Sequence, residues 1–182
     1  MKKTSLDTFD NKGYHPGSIA KRSLWYVINI LFFNTPIPFP SFLKRTILRI
    51  FGGVIGKGVV IKPCINIKYP WMLSVGNHCW IGEGVWIDSL GRVDIGANCC
   101  ISQGAMLLCG NHDFTVSSFD LIVGDITLED GVWLGAKSIV TSGVTCHTHS
   151  VLSVASVASK DLGAYCIYRG NPAEKTKSRT VK

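Results

Sequence analysis

From Leu128 onward, apolar or small residues recur at every sixth position. Leu128, Leu134, Val140, Cys146, Leu152, Ala158 and Ala164 each open a hexad, and most hexads carry a small or β-branched residue four places later. A period of six is neither the 3.6 of an α-helix nor the 2 of a flat strand. Self-similarity on this scale belongs to a parallel β-helix built from stacked coils. Read backward, the same rule finds Ile55, Ile61 and Ile67, then Val75, Ile81 and Ile87, then Ile95, Ile101 and Leu107. Each triplet is one triangular turn of eighteen residues. The phase slips by two residues between triplets, from 67 to 75 and from 87 to 95, which predicts a bulge at one corner, once per turn. Gly56, Gly82, Gly96 and Gly135 follow their hexad leaders, where a tight corner would favour glycine's freedom in φ.

A chain of 182 residues, 46% of them apolar, suffices for one continuous core with short appendages. Its net charge of +7 is concentrated at the ends. Residues 1–50 hold eight Lys or Arg and two acids, residues 51–168 six and nine, and residues 169–182 five and one. Basic ends suit an anionic membrane surface or a phosphate-bearing small molecule. Nucleic acid ranks last, because no paired zinc ligands or aromatic RNP segment accompanies them. Seven cysteines, without a Cys-x-x-Cys pair or a leader, predict a reducing compartment, the cytoplasm. Cys79 and Cys99 fall on inward fourth positions and read as small core-filling thiols.

Leu24 to Phe33 is the most hydrophobic stretch, but at ten residues interrupted by Asn29 it is half the length of a membrane span. A proline-rich turn from Thr35 to Pro40 follows it. Ser41 to Phe51 then reads as a second short helix bearing Lys44, Arg45 and Arg49. Such a helical hairpin would cap the open edge of the first coil, with a peripheral contact to the inner membrane face through the basic helix as the alternative. The expected organisation is a helical cap over 1–52, a β-helix over 53–170 and a basic tail over 171–182. The six-residue rhythm fails once at length, over 109–125 (CGNHDFTVSSFDLIVGD). A long excursion from a regular solenoid points to a functional loop.

Hexads of the form Ile-Gly-x-x-Val-x, the loop motif Gly-Asn-His-Asp, Val132-Trp133-Leu134-Gly135-Ala136 after it and Arg169-Gly170-Asn171-Pro172-Ala173 together resemble the left-handed β-helix (hexapeptide-repeat) acyltransferases. The nearest subgroup is the colanic acid biosynthesis acetyltransferases, with the galactoside and maltose O-acetyltransferases more distant. The resemblance runs from about residue 6 to residue 175. It implies an all-β fold, a left-handed parallel β-helix; the hand rests on the resemblance alone, since general crossover statistics favour the right hand.

The resemblance also implies a reaction: transfer of an acetyl group from acetyl-CoA to a sugar hydroxyl, in exopolysaccharide or O-antigen synthesis. Such chemistry needs a base, donors for the developing oxyanion and tight positioning, and requires no metal. His112 takes the role of general base. Asp88, Trp86, Asp113 and Asn111 are the expected acceptor contacts, although the family has asparagine where this chain has Asp88, and Asn111 suits a turn equally well. For the coenzyme, Trp133, Gly135 and Ala136 map to the upper end of a groove and Val154 and Ser159 to its lower end. Lys160, Arg169 and Lys175 are candidates for the nucleotide phosphates, and Asn171-Pro172 for the turn closing the pocket. The family arrangement is a homotrimer with the groove between subunits. The acceptor is a sugar or glycan, with a lipid-linked form left open. Cys146-His147-Thr148-His149 stands where the family reads Ile-Gly-x-Gly; a zinc reading lacks the four ligands of a structural site. Two other functions fit the same residues: acetylation of a non-sugar hydroxyl, as in an antibiotic or amino acid, and a non-catalytic trimeric β-helix module.

Overall fold

The hexads do fold as three-sided coils. A computed structural model describes residues 3–181. Short strands at Val54–Ile55, Leu73–Val75, Val93–Ile95, Ile126–Leu128 and Thr145–Cys146 stack in parallel as the first face. The second face begins with Val60–Ile61, Trp80–Ile81, Cys100–Ile101, Trp133–Leu134 and Val151–Leu152, and the third contains Asn66–Ile67, Trp86–Asp88, Met106–Leu108, Ile139–Val140 and Val157–Ala158. Hexad leaders sit in register from coil to coil. Ile61, Ile81, Ile101, Leu134 and Leu152 form one inward column, and Ile67, Ile87, Leu107, Val140 and Ala158 another. Each coil therefore buries its leaders only against its own turn and its two neighbours. Cys79 and Cys99 are buried in this column core, as their hexad positions predicted.

The glycines after the leaders serve a purpose other than the expected one. Gly56, Gly82, Gly96 and Gly135 are not among the residues of positive φ; those lie two places further on, at Gly58, Gly84, Asn98 and Lys137. What these glycines supply is room. A Cβ on Gly135 would stand 2.6 Å from the amide nitrogen of Val154 in the next coil, and one on Gly56 2.7 Å from that of Asn77. Coils can stack at strand spacing only if that corner carries no side chain.

Helix α1 (Ile19–Phe32) begins at Ser18, whose hydroxyl accepts from Lys21 N, and helix α2 (Ser41–Ile50) follows the proline turn. Both close the open edge of the first coil. Trp25 Nε1 donates to the Ile67 carbonyl at 2.8 Å, and Asn29, the polar break in the apolar stretch, donates to Asn66 Oδ1. On α2, Lys44 Nζ reaches the Lys62 carbonyl, Arg45 the Val59 carbonyl and Arg49 the Ile55 and Gly56 carbonyls. The basic helix thus turns its cations into the solenoid, where edge carbonyls would otherwise lack donors. All three cations of α2 are thus engaged by carbonyls of the first coil. No helix among the described residues is long and apolar enough to cross a membrane.

The far end closes with an antiparallel hairpin, Cys166–Gly170 against Ala173–Ser178, so half of the expected basic tail is a strand of the second face. The two-residue slips occupy the corner between the third face and the first, at Tyr69–Met72 and Ser89–Arg92. The long loop leaves from this same corner, between Leu108 and Ile126.

Candidate functional site

The loop is itself a hairpin. Gly110–His112 pairs antiparallel with Leu121–Val123, which places His112 opposite Leu121. Its ring stacks on Phe119 with centroids 4.5 Å apart and planes 10° from parallel, and Phe9 packs against it at 5.8 Å. His112 Nδ1 lies 2.8 Å from the Phe119 carbonyl. A carbonyl can only accept, so the hydrogen resides on Nδ1 and the Nε2 lone pair is free to take a proton. Phe119 adopts a left-handed backbone, φ 54°, which helps set the direction of that carbonyl.

A cleft of about 520 Å³ opens beside His112. Its floor is the bulged corner, with Lys68, Tyr69 and Leu90; its wall is the segment before α1, with Tyr14 and His15; and Arg22 enters from α1. Tyr14 Oη donates to the Leu90 carbonyl at 2.7 Å, which ties the N-terminal segment across the corner. Burial raises the Tyr14 phenol above its usual pKa, and Tyr69 and Asp88 add to the shift, so it remains a donor at neutral pH.

The predicted acceptor residues distribute unevenly around this cleft. Asp88 is buried at the corner beneath the loop root, with Lys68 Nζ 3.5 Å from its Oδ1. Asn111 lies in the first strand of the loop hairpin, opposite Ile122, and its side-chain oxygen accepts from the His112 amide. Asp113 accepts from the amide and hydroxyl of Thr115, which holds its carboxyl below the usual range; it does not pair with His112. Trp86 lies on the third face and lines not the His112 cleft but a cavity beside α1 that adjoins it, sharing Arg22, Lys68 and Tyr69. Phe9, Tyr14, Arg22, Lys68 and Tyr69 line the cleft without having been singled out in the sequence. Lys68 and Tyr69 had one signal, because they fall where the phase slips.

The other predicted region is a groove of about 580 Å³ along the corner between the second and third faces. Trp133, Gly135, Ala136 and Val154 line it, and Ser102, Gln103, Ser153, Ile167 and Arg179 join them. Trp133 Nε1 donates to Ser102 Oγ at 3.0 Å, which fixes the exposed indole at one end. Arg179 donates to the Gly131 and His149 carbonyls. Ser159, Lys160, Arg169, Asn171, Pro172 and Lys175 do not line this groove in their own chain. Ser159 and Lys160 are exposed beyond the last strand of the third face, while Asn171-Pro172, a cis peptide, turns the C-terminal hairpin.

Cys146-His147-Thr148-His149 has a structural explanation. Glu129 accepts from His147 Nδ1 and the Thr148 amide, and the His149 ring stacks on Tyr165 over Gly131 at a corner. Among the described residues no group of three or more His, Cys, Asp or Glu could hold a metal ion.

Parallel coils of hexads, one extruded loop with a tautomer-defined histidine and an apolar groove one face away define the hexapeptide-repeat acyltransferase class. The solved structures agree: an acetyltransferase of Vibrio cholerae containing hexapeptide repeats, complexed with acetyl coenzyme A, superposes with TM-score 0.79 at 20% identity over 89% of this chain and 88% of that one. A galactoside acetyltransferase in complex with coenzyme A gives 0.76 at 17% identity over 88% and 82%. No family model matches the chain. A colanic acid biosynthesis acetyltransferase of Escherichia coli K12, WcaF, is 36% identical over 165 residues, 89% of each chain. The protein belongs to this acetyltransferase family.

Proposed function

We propose that the protein transfers the acetyl group of acetyl-CoA to a hydroxyl of a sugar or glycan acceptor, in the synthesis of an exopolysaccharide or O-antigen, with His112 as general base. The observation that carries this reading is the contact of His112 Nδ1 with the Phe119 carbonyl, which makes Nε2 the acceptor nitrogen of the neutral ring, beside a cleft large enough for a sugar. Nε2 accepts the hydroxyl proton as the oxygen attacks the thioester carbonyl. The tetrahedral intermediate then expels the coenzyme A thiolate, which takes that proton back from the imidazolium. Trp133, Gly135, Ala136 and Val154 form the wall for the pantetheine arm.

The cleft and the groove share no lining residue and occupy different corners of the coil, with the third face between them. A thioester in this groove therefore meets a histidine contributed by a second chain, which is the reason to assign a homotrimer with sites between subunits. In that arrangement Lys160, Arg169 and Lys175 are available for the phosphates of a coenzyme shared with the neighbour. A glycan carried on a lipid fits the same open cleft.

The test is thiol release from acetyl-CoA across a panel of sugars, glycans and nucleotide sugars, wild type against His112→Ala. The expected loss is about two to four orders of magnitude in kcat, the usual worth of a general base. Full activity of the alanine variant would remove His112 from the mechanism, and failure to bind acetyl-CoA would remove the enzyme reading.

A further inference from the structure

Four side chains that carry or can acquire positive charge line the cleft beside His112: Lys12, His15, Arg22 and Lys68. No carboxylate lines it. Lys12 has an acidic partner on the exposed side, Asp10 at 3.3 Å, and Lys68 has Asp88 at 3.5 Å. The latter contact is loose, because the buried Asp88 Oδ1 accepts no hydrogen bond. Arg22 has less still: among the described residues its guanidinium pairs with no carboxylate, and its Nε is shut away from solvent without an acceptor.

The backbone holds this guanidinium in place. Arg22, Trp25 and Asn29 lie along one stripe of α1, and the last two are bonded to the first coil at Ile67 and Asn66. The helix cannot turn Arg22 outward without breaking both contacts. A half-buried charged donor without a partner is unfavourable for the empty protein, and a planar guanidinium is matched by the paired oxygens of a carboxylate or phosphate. We propose that the acceptor whose hydroxyl meets His112 carries an anionic group, a carboxylate or a phosphate ester, which seats on Arg22 with Lys68 beside it. This rests on the reading of the His112 cleft as the acceptor site.

Matched acceptor pairs test it with the full-length protein: methyl glucoside against methyl glucuronoside for the carboxylate, and galactose against galactose 1-phosphate for the phosphate. In at least one pair the charged member is expected to show a kcat/KM about ten- to a hundredfold higher, the range for a charge-assisted hydrogen bond, and the pair that responds identifies the group. Arg22→Gln should slow only the charged member and bring the two within about twofold; Arg22→Lys should restore part of the preference. Equal rates for both members in the wild type would overturn the proposal, as would an Arg22→Gln variant that slows charged and neutral acceptors alike. So would acetylation of no member while acetyl-CoA binds normally by calorimetry. Loss of acetyl-CoA binding is a different result, because it overturns the acetyl-transfer reading and this one with it.

Discussion

Phe119 presents two groups to His112, a ring face and a carbonyl, and they can be separated. Phe119→Ala keeps the backbone acceptor and removes the stack, so the imidazole keeps its tautomer but loses its orientation. We expect kcat to fall about tenfold with KM for acetyl-CoA unchanged, as steady-state kinetics would show; a rise in that KM instead would mean that the loop also shapes the groove. Thiol reactivity is also set residue by residue. Five of the seven cysteines are buried and only Cys64 and Cys100 are half-buried, while desolvation pushes Cys109 and Cys146 up to about 12. At pH 8 an aromatic disulfide reagent should titrate at most two thiols rapidly in the native protein, and all seven in denaturant. Glycine positions divide in the same way. Gly131 has φ 70° and a Cβ there would stand 2.7 Å from the His149 ring, whereas Gly143 has φ 82° and open space around it. Denaturant melts should show Gly131→Ala costing more than the roughly 1–2 kcal/mol of left-handed strain expected at Gly143→Ala.

Among the elements, α2 carries the least expected chemistry. Lys44 is fully buried, its ammonium bonded to the Lys62 carbonyl, and burial lowers its pKa from the ordinary lysine value. The unfolded chain then binds the proton more tightly than the folded one, so this group's contribution to stability rises with pH as the ordinary value near 10.5 is approached. Wild type should gain stability over Lys44→Met between pH 8 and 10 in thermal melts; a parallel course for both proteins would show that burial does not lower the Lys44 pKa in the cap. Lys44→Ala should cost about 2–4 kcal/mol at any pH in this range, because it leaves both a cavity and an unpaired carbonyl.

The coils themselves were legible in the sequence, since an inward residue at every sixth position has one geometric meaning and the leaders through Ala158 stack in the predicted register; the rhythm ends before Ala164, which is exposed while Leu162 bridges Cys146. Helix α2 was placed within a residue, although the direction of its cations was not. Arg22 and Tyr14 were invisible as site residues for a related reason. Their roles depend on a segment folding back across the coil, as in the Tyr14–Leu90 bond, and no periodicity encodes a contact between positions so distant. The tail residues Arg169, Asn171, Pro172 and Lys175 were assigned through resemblance alone. In the single chain they lie in the hairpin that ends the second face, outside the groove.

At the scale of the whole molecule, the cleft at one corner and the groove at another lead to a prediction about assembly. Sedimentation should give a mass near three times 19.9 kDa. Mixing and reassembling His112→Ala with a groove-blocked Ala136→Trp chain should recover activity that neither has alone, because some interfaces then combine an intact histidine with an intact groove. No recovery in verified mixed oligomers would place both halves of the site in one chain.

The stacked coils also act as a ruler. The loop bearing His112 departs at a set level of the column, and the groove runs along the coils at and above that level. Each coil adds about 4.8 Å along the axis. Deleting or duplicating one whole turn after Val140 would preserve every inward column while changing the length of the groove by that amount. On the proposed reading of the groove as the seat of the coenzyme arm, reach along the column would be set by the number of coils and by no single residue, and a chain one turn shorter or longer is expected to favour an acyl carrier of different length.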